Sequence, residues 1–157
     1  MNLRTMLLVL ILSSSFFRVQ AGSMNLHGSL IIISCTINNE RPLDVTFDEA
    51  IGVTLVDGEK YRKDMELGIE CSSSPGNLLQ MKLLGEPTIF DQGAIITDVK
   101  DLGIKLLINE EPIILNETLP LNNDRILNLS AIPVKRPNSQ LTSGTFHGHV
   151  ILQIVLE

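Results

Sequence analysis

The stretch SGTFHGHVILQIVLE, Ser143 to Glu157, decides how the chain is read. From Phe146 onward Phe146, Gly148, Val150, Leu152, Ile154 and Leu156 alternate with His147, His149, Ile151, Gln153, Val155 and Glu157. A period of two with one apolar face is the pattern of a half-buried β-strand. No turn and no partner strand follow it in the sequence. A long apolar strand with an open edge is a template for aggregation, which natural proteins avoid by covering the edge. The pattern therefore predicts a strand whose second edge is met either by an earlier strand or by another molecule.

At the other end, Met1 to Ala21 carries Arg4, an apolar run from Met6 to Leu12 and the small-residue ending Val19-Gln20-Ala21. These are the parts of a secretory signal peptide, and the run is too short to span a bilayer. The expected product is exported and soluble, and residues 22–157 suffice for one domain with a real core. Removing Arg4 and Arg18 takes the net charge from −6 to −8. An acidic surface argues against nucleic acid and anionic membranes as partners. Without Phe16 and Phe17 the core must be built from Leu, Ile and Val. The two cysteines, Cys35 and Cys71, are expected to form a disulfide in an oxidising compartment. Closing the loop between them stabilises a fold by about 4 kcal/mol in the chain-entropy model.

Between these ends the chain reads as short strands separated by turns. Gly22 to Leu30 alternates, with Met24, Leu26, Gly28 and Leu30 on one face. A glycine in an apolar register marks a place where another backbone comes close. Leu30 to Ile37 reads as a strand buried on both faces, broken by Asn38 to Pro42. Short strands are expected at Leu43 to Phe47 and Ile51 to Val56, and longer ones at Lys60 to Cys71, Leu78 to Leu84, Leu102 to Ile108 and Ile126 to Val134. Ala94 to Val99 is a weaker strand, and Pro112 to Leu115 has the spacing to pair with 102–108. Pro133 lacks a backbone N–H, so it should sit at an edge or a bulge. No segment keeps a helical period for three turns. The pattern predicts an all-β, antiparallel sandwich.

Little in the sequence is arranged for catalysis. His147 and His149 share a strand face, but no nearby Asp, Glu or Cys completes a metal site. Gly52, Gly58 and Gly68 form no phosphate loop, and no serine has the setting of a nucleophile elbow. Asn116-Glu117-Thr118 and Asn128-Leu129-Ser130 match the glycosylation pattern. An enzyme is the least supported reading, and no cofactor or metal is implied.

A leader, an alternating arm with Gly28, Cys35 soon after it, Cys71 on a later strand and Gly144-Thr145-Phe146 opening a terminal strand occur here in that order. Together they resemble the subunits of bacterial fimbriae (pili) assembled by the chaperone–usher pathway. The start MNLHGSLIIISCTINN looks most like the minor tip adaptor subunits of P or type 1 pili. The resemblance implies an incomplete immunoglobulin-like antiparallel β-sandwich lacking its last strand, completed by donor-strand complementation. It divides the chain into a signal peptide (1–21), an N-terminal donor-strand extension (22–30) and a pilin domain (31–157).

The resemblance also implies roles. Met24, Leu26, Gly28 and Leu30 would be the donor strand. Phe146, Val150, Leu152, Ile154 and Leu156 would line the acceptor groove, and the carboxylate of Glu157 would be gripped by the chaperone. Cys35 and Cys71 match the family disulfide. Implied partners are a periplasmic pilus chaperone, an outer-membrane usher and neighbouring subunits, with the product carried through the periplasm to the cell surface. The family usually has tyrosine where this chain has Leu156. Most major subunits are rich in Ala, Thr and Gly, whereas this chain is rich in Leu and Ile, which favours a minor subunit. The competing reading is a self-contained secreted β-sandwich that binds a ligand or receptor.

Overall fold

The computed structural model describes residues 22–30, 32, 34–47, 50–72, 79–121 and 126–156, so the expected leader lies outside the described residues. The chain divides into two units, Met1–Ile31 and Ile32–Glu157. In the first, residues 22–30 form no hydrogen-bonded strand, and Met24, Leu26 and Leu30 are exposed.

The second unit is built from strands β1 (Cys35–Ile37), β2 (Lys63–Cys71), β3 (Leu79–Leu84), β4 (Ala94–Ile96), β5 (Leu102–Ile108), β6 (Glu111–Pro112), β7 (Thr118–Pro120), β8 (Ile126–Lys135) and β9 (Ile151–Leu156). There is no α-helix among the described residues. Every strand pairing is antiparallel. One sheet runs β1-β2-β8-β5-β4, with β6 on β5, and the other runs β7-β3-β9.

Alternation writes these strands. In β2, Leu67 and Ile69 are buried while Glu66 and Glu70 are less so; in β3, Leu79, Met81 and Leu83 are buried with Gln80 and Lys82 between them. β5 follows the same rule, with Ile104 and Leu106 inward and Lys105 between them. These residues join Leu127, Leu129 and Ala131 of β8 in one core between the two sheets. Burying each such aliphatic side chain contributes about 1.5–3 kcal/mol. β8 departs from it over the longest run, with Leu129 to Val134 buried on both faces. Its outer face is covered where the turn at Gly58 packs on Val134.

The expected disulfide is present. Cys35 and Cys71 stand opposite each other in the β1–β2 ladder with Cα atoms 4.0 Å apart, closing a sequence separation of 36. Pro133 also behaves as its chemistry requires. β2 pairs with β8 only as far as Ala131, so Pro133 pairs with Ile104 of β5 and needs no donor on the side that β2 has left.

Several expectations need correction, among them Ala94 to Val99 and Pro112 to Leu115, which are strand only over Ala94–Ile96 and Glu111–Pro112. The strand expected from Leu30 exists only from Cys35, and Leu30 and Ile32 are exposed rather than buried. Residues 43–47 and 51–56 are not strands. The second of these folds as a turn, where Leu55 N–H donates to the Gly52 carbonyl at 2.8 Å and Gly52 N–H donates to the Tyr61 hydroxyl at 3.1 Å. The terminal strand begins at Ile151, not Phe146, because its partner β3 ends opposite it at Leu84. The backbone N–H and carbonyl of Gly85 beyond are taken by the Asn116 side chain, and His147 is hydrogen-bonded to Asp98 beyond β4. β7 has no counterpart among the expected strands; its three residues pair with β3 opposite Gln80 to Lys82.

Candidate functional site

β1 closes one end of the first sheet, and β9 is the edge of the second. Between them the sandwich is open. A groove of about 560 Å3 runs there, with one wall from the segment 37–47 and the other from 146–152. Phe146, Val150 and Leu152 supply one wall and Leu43, Val45 and Phe47 the other. Its floor is the sandwich core itself, including Leu67 and Leu83, one from each sheet. β9 takes its ladder bonds from β3, and no strand among the described residues pairs with its far edge. That edge offers a row of backbone donors and acceptors beside an apolar trough.

The groove continues past an aromatic pair. Phe47 and Phe146 lie with ring centroids 5.6 Å apart and planes inclined by 39°. Both rings also line a second cavity of about 500 Å3 on their other side, with Val56, Leu102 and Pro133. The polar groups of the groove lie on its walls, with Glu40, Arg41 and Asp44 on one and His147 and His149 on the other. His147 is tied to Asp98 outside the groove. Its backbone N–H donates to Asp98 Oδ1 at 2.7 Å, and its Nδ1 lies 3.1 Å from Asp98 Oδ2. The first of these bonds, then the second, holds the Asp98 carboxyl below its ordinary value. No group of three or more His, Cys, Asp or Glu side chains placed to hold a metal occurs among the described residues.

An apolar trough beside an unpaired strand edge is the geometry that strand addition uses in proteins generally. A sequence model of the fimbrial protein family matches residues 24–155. The chain belongs to the fimbrial protein family. Among its relatives, the uncharacterized fimbrial-like protein YfcQ of Escherichia coli K12 is 27% identical over 96% of this chain and 97% of its own length. YfcR, another uncharacterized fimbrial-like protein of the same strain, is 30% identical over 63% of this chain and 61% of its own. Two solved structures share the fold of this fimbrial protein. The P pilus adaptor subunit PapF matches with a TM-score of 0.61 at 21% identity, covering 78% of this chain and 95% of PapF. The P pilus rod subunit PapA matches with a TM-score of 0.67 at 10% identity, covering 87% of this chain and all of PapA. The sandwich is thus the immunoglobulin-like fold of pilins.

In this fimbrial protein, three of the residues expected to form an acceptor groove, Phe146, Val150 and Leu152, do line the trough. Ile154 packs against the same core farther along β9, outside the lining of that cavity. Leu156 stands opposite Leu79 at the end of the β3–β9 ladder, and Glu157 lies outside the described residues. Of the expected donor residues, Met24, Leu26 and Leu30 are exposed, and a Cβ added at Gly28 would meet nothing within 4 Å. Sequence reasoning missed the second wall. Leu43, Val45 and Phe47 alternate with Asp44 and Thr46, which was legible as a strand-like pattern but not as one side of a groove. The floor was missed as well, because its residues come from strands far apart in sequence.

Proposed function

We propose that this fimbrial protein is a minor, adaptor-type subunit of a chaperone–usher pilus that polymerises by donor-strand exchange and contributes to adhesion. The observation that carries the reading is the open trough floored by core side chains, beside a β9 edge that no strand among the described residues pairs. In this reading a periplasmic chaperone first fills the trough with one of its own strands. The arm of a neighbouring subunit then replaces it at the outer-membrane usher. Residues 22–30 are the arm that this subunit gives to the next groove, which accords with the exposure of Met24, Leu26 and Leu30. Three or four such apolar side chains entering a trough supply about 1.5–3 kcal/mol each, and the backbone ladder fixes their register. The assembled product is carried through the periplasm to the cell surface.

The test uses the full chain expressed to the periplasm, as wild type and as Leu152→Asp. Leu152 lines the trough opposite Leu83 in the ladder, so an aspartate there puts an unpaired carboxylate against an apolar occupant. The wild type should co-purify with a pilus chaperone, and Leu152→Asp should lose the chaperone and be degraded. A wild-type chain that accumulates as a stable monomer without a chaperone would overturn the proposal in favour of a self-contained binding module.

A further inference from the structure

The wall from Phe146 to Val150 belongs to no ladder, yet it is fixed in place. Asp98 and His147 are joined three times. To the two bonds already described is added that of the Asp98 N–H, which donates to the His147 carbonyl at 3.2 Å. Both backbone polar groups of His147 are therefore held by one residue, 49 positions away. Asp98 is itself braced. The side chain of Thr97, which is buried, lies 3.0 Å from the Leu102 carbonyl and 3.1 Å from that of Val99, and accepts from Val99 N–H at 3.2 Å.

The consequence appears one residue on. At Gly148 an added Cβ would lie 3.2 Å from Ile95 Cδ1, 3.2 Å from the Ile96 carbonyl oxygen and 3.3 Å from Ile104 Cδ1. The backbone there is pressed on the end of the groove floor, at a distance a side chain would find tight. Two residues further, the Val150 side chain faces the Gly85 backbone at the end of β3. The wall thus spans from the first sheet to the second with Asp98 as its anchor on the first.

We infer that Asp98 is a positioning residue of the groove, holding His147 so that the wall from Phe146 to Val150 is already ordered when a strand arrives. The inference rests on the strand-accepting reading of the groove. An incoming strand then loses less freedom to ordering, because the surface it meets is preorganised. Without Asp98 the wall must be ordered by the occupant itself, and the occupant is held less well.

The experiment uses the full chain, as wild type, Asp98→Ala and Asp98→Asn, with a synthetic peptide of residues 22–33 as the probe. Amide hydrogen exchange is read at His147, and peptide dissociation is read separately. Asp98→Ala should speed exchange at His147 about tenfold, as loss of a hydrogen bond to a charged acceptor implies, and should speed peptide release about three- to tenfold. Asp98→Asn keeps an acceptor oxygen for the His147 N–H and should restore most of both, a rescue that simple loss of bulk would not show. If Asp98→Ala does not fold, His147→Ala, which removes only the ring contact, is read in its place and should show a smaller increase. Equal exchange and equal release in wild type and variants overturn the role of Asp98 while leaving the groove intact. Failure of the wild type to take up the peptide, together with its accumulation as a stable monomer without a chaperone, overturns the strand-accepting reading, and the role of Asp98 falls with it. Uptake failure alone leaves exchange at His147 as the deciding readout.

Discussion

Phe47 and Phe146 meet across the groove with their ring centroids 5.6 Å apart, although they come from opposite walls. Each ring is half-buried against the core and borders both cavities. A tilted aromatic contact of this kind contributes about 0.5–1.5 kcal/mol beyond the area it buries. A double-mutant cycle of Phe47→Leu and Phe146→Leu in urea denaturation should therefore return a coupling in that range. Strictly additive effects would mean that the two walls are held by other contacts.

The disulfide should matter about as much as a large side chain of the core. It ties β1, a strand of three residues, to the end of β2. Cys35→Ser should lower stability by about 2–5 kcal/mol and leave one titratable thiol. Two free thiols in the wild-type protein from the periplasm would contradict the pairing.

Gly28→Val separates folding from assembly. Nothing lies within 4 Å of a Cβ at this position, so the variant's melting midpoint should match the wild type. If the arm enters a closed trough in the next subunit, the added bulk costs about 1–3 kcal/mol there. A peptide of residues 22–33 carrying the valine should then exchange into a subunit groove at least about fivefold more slowly. Equal exchange by both peptides would return residues 22–30 to the status of an ordinary tail.

Acid should weaken the outer face of the first sheet. The Ser130 hydroxyl donates to Asp64 Oδ1 at 2.7 Å, and Arg62 Nε donates to the same oxygen at 2.6 Å. The bond from Ser130, then that from Arg62, holds the Asp64 carboxyl below its ordinary value, and Arg62 does the same for Glu110 through a 2.7 Å bond from Nη1. Carboxyls depressed in the folded state contribute stability above their unfolded values, and that contribution is lost as the pH falls through the folded ones. Denaturation midpoints should therefore decline below about pH 5, and the decline should be shallower in Asp64→Asn. The effect near neutral pH should be small, since all three charges are solvent-exposed enough to be screened. An identical pH profile in the variant would show that Asp64 is not stabilised through Ser130 and Arg62.

Local alternation determined much of this protein before any contact was known. Leu102 to Ile108 is a strand with the expected limits, and those of Lys63–Cys71, Leu79–Leu84 and Ile126–Lys135 differ by only one to three residues at an end. A strand face is written in every second residue, so its apolar side can be read from those residues. The same alternation in Phe146, Val150 and Leu152 marked one wall of the groove. It could not show that Phe146 to Val150 leaves the ladder, because that depends on where β3 ends, on Asn116 at Gly85 and on Asp98, 49 positions from His147. Nor could it join Leu43, Val45 and Phe47 to the opposite wall, or put Leu67 and Leu83 together on the floor, since the strands carrying them belong to different sheets. The apolar character of a face is a local property of sequence, whereas its burial and the cover of an edge depend on which distant strands become neighbours, and only the packing of the two sheets decides that.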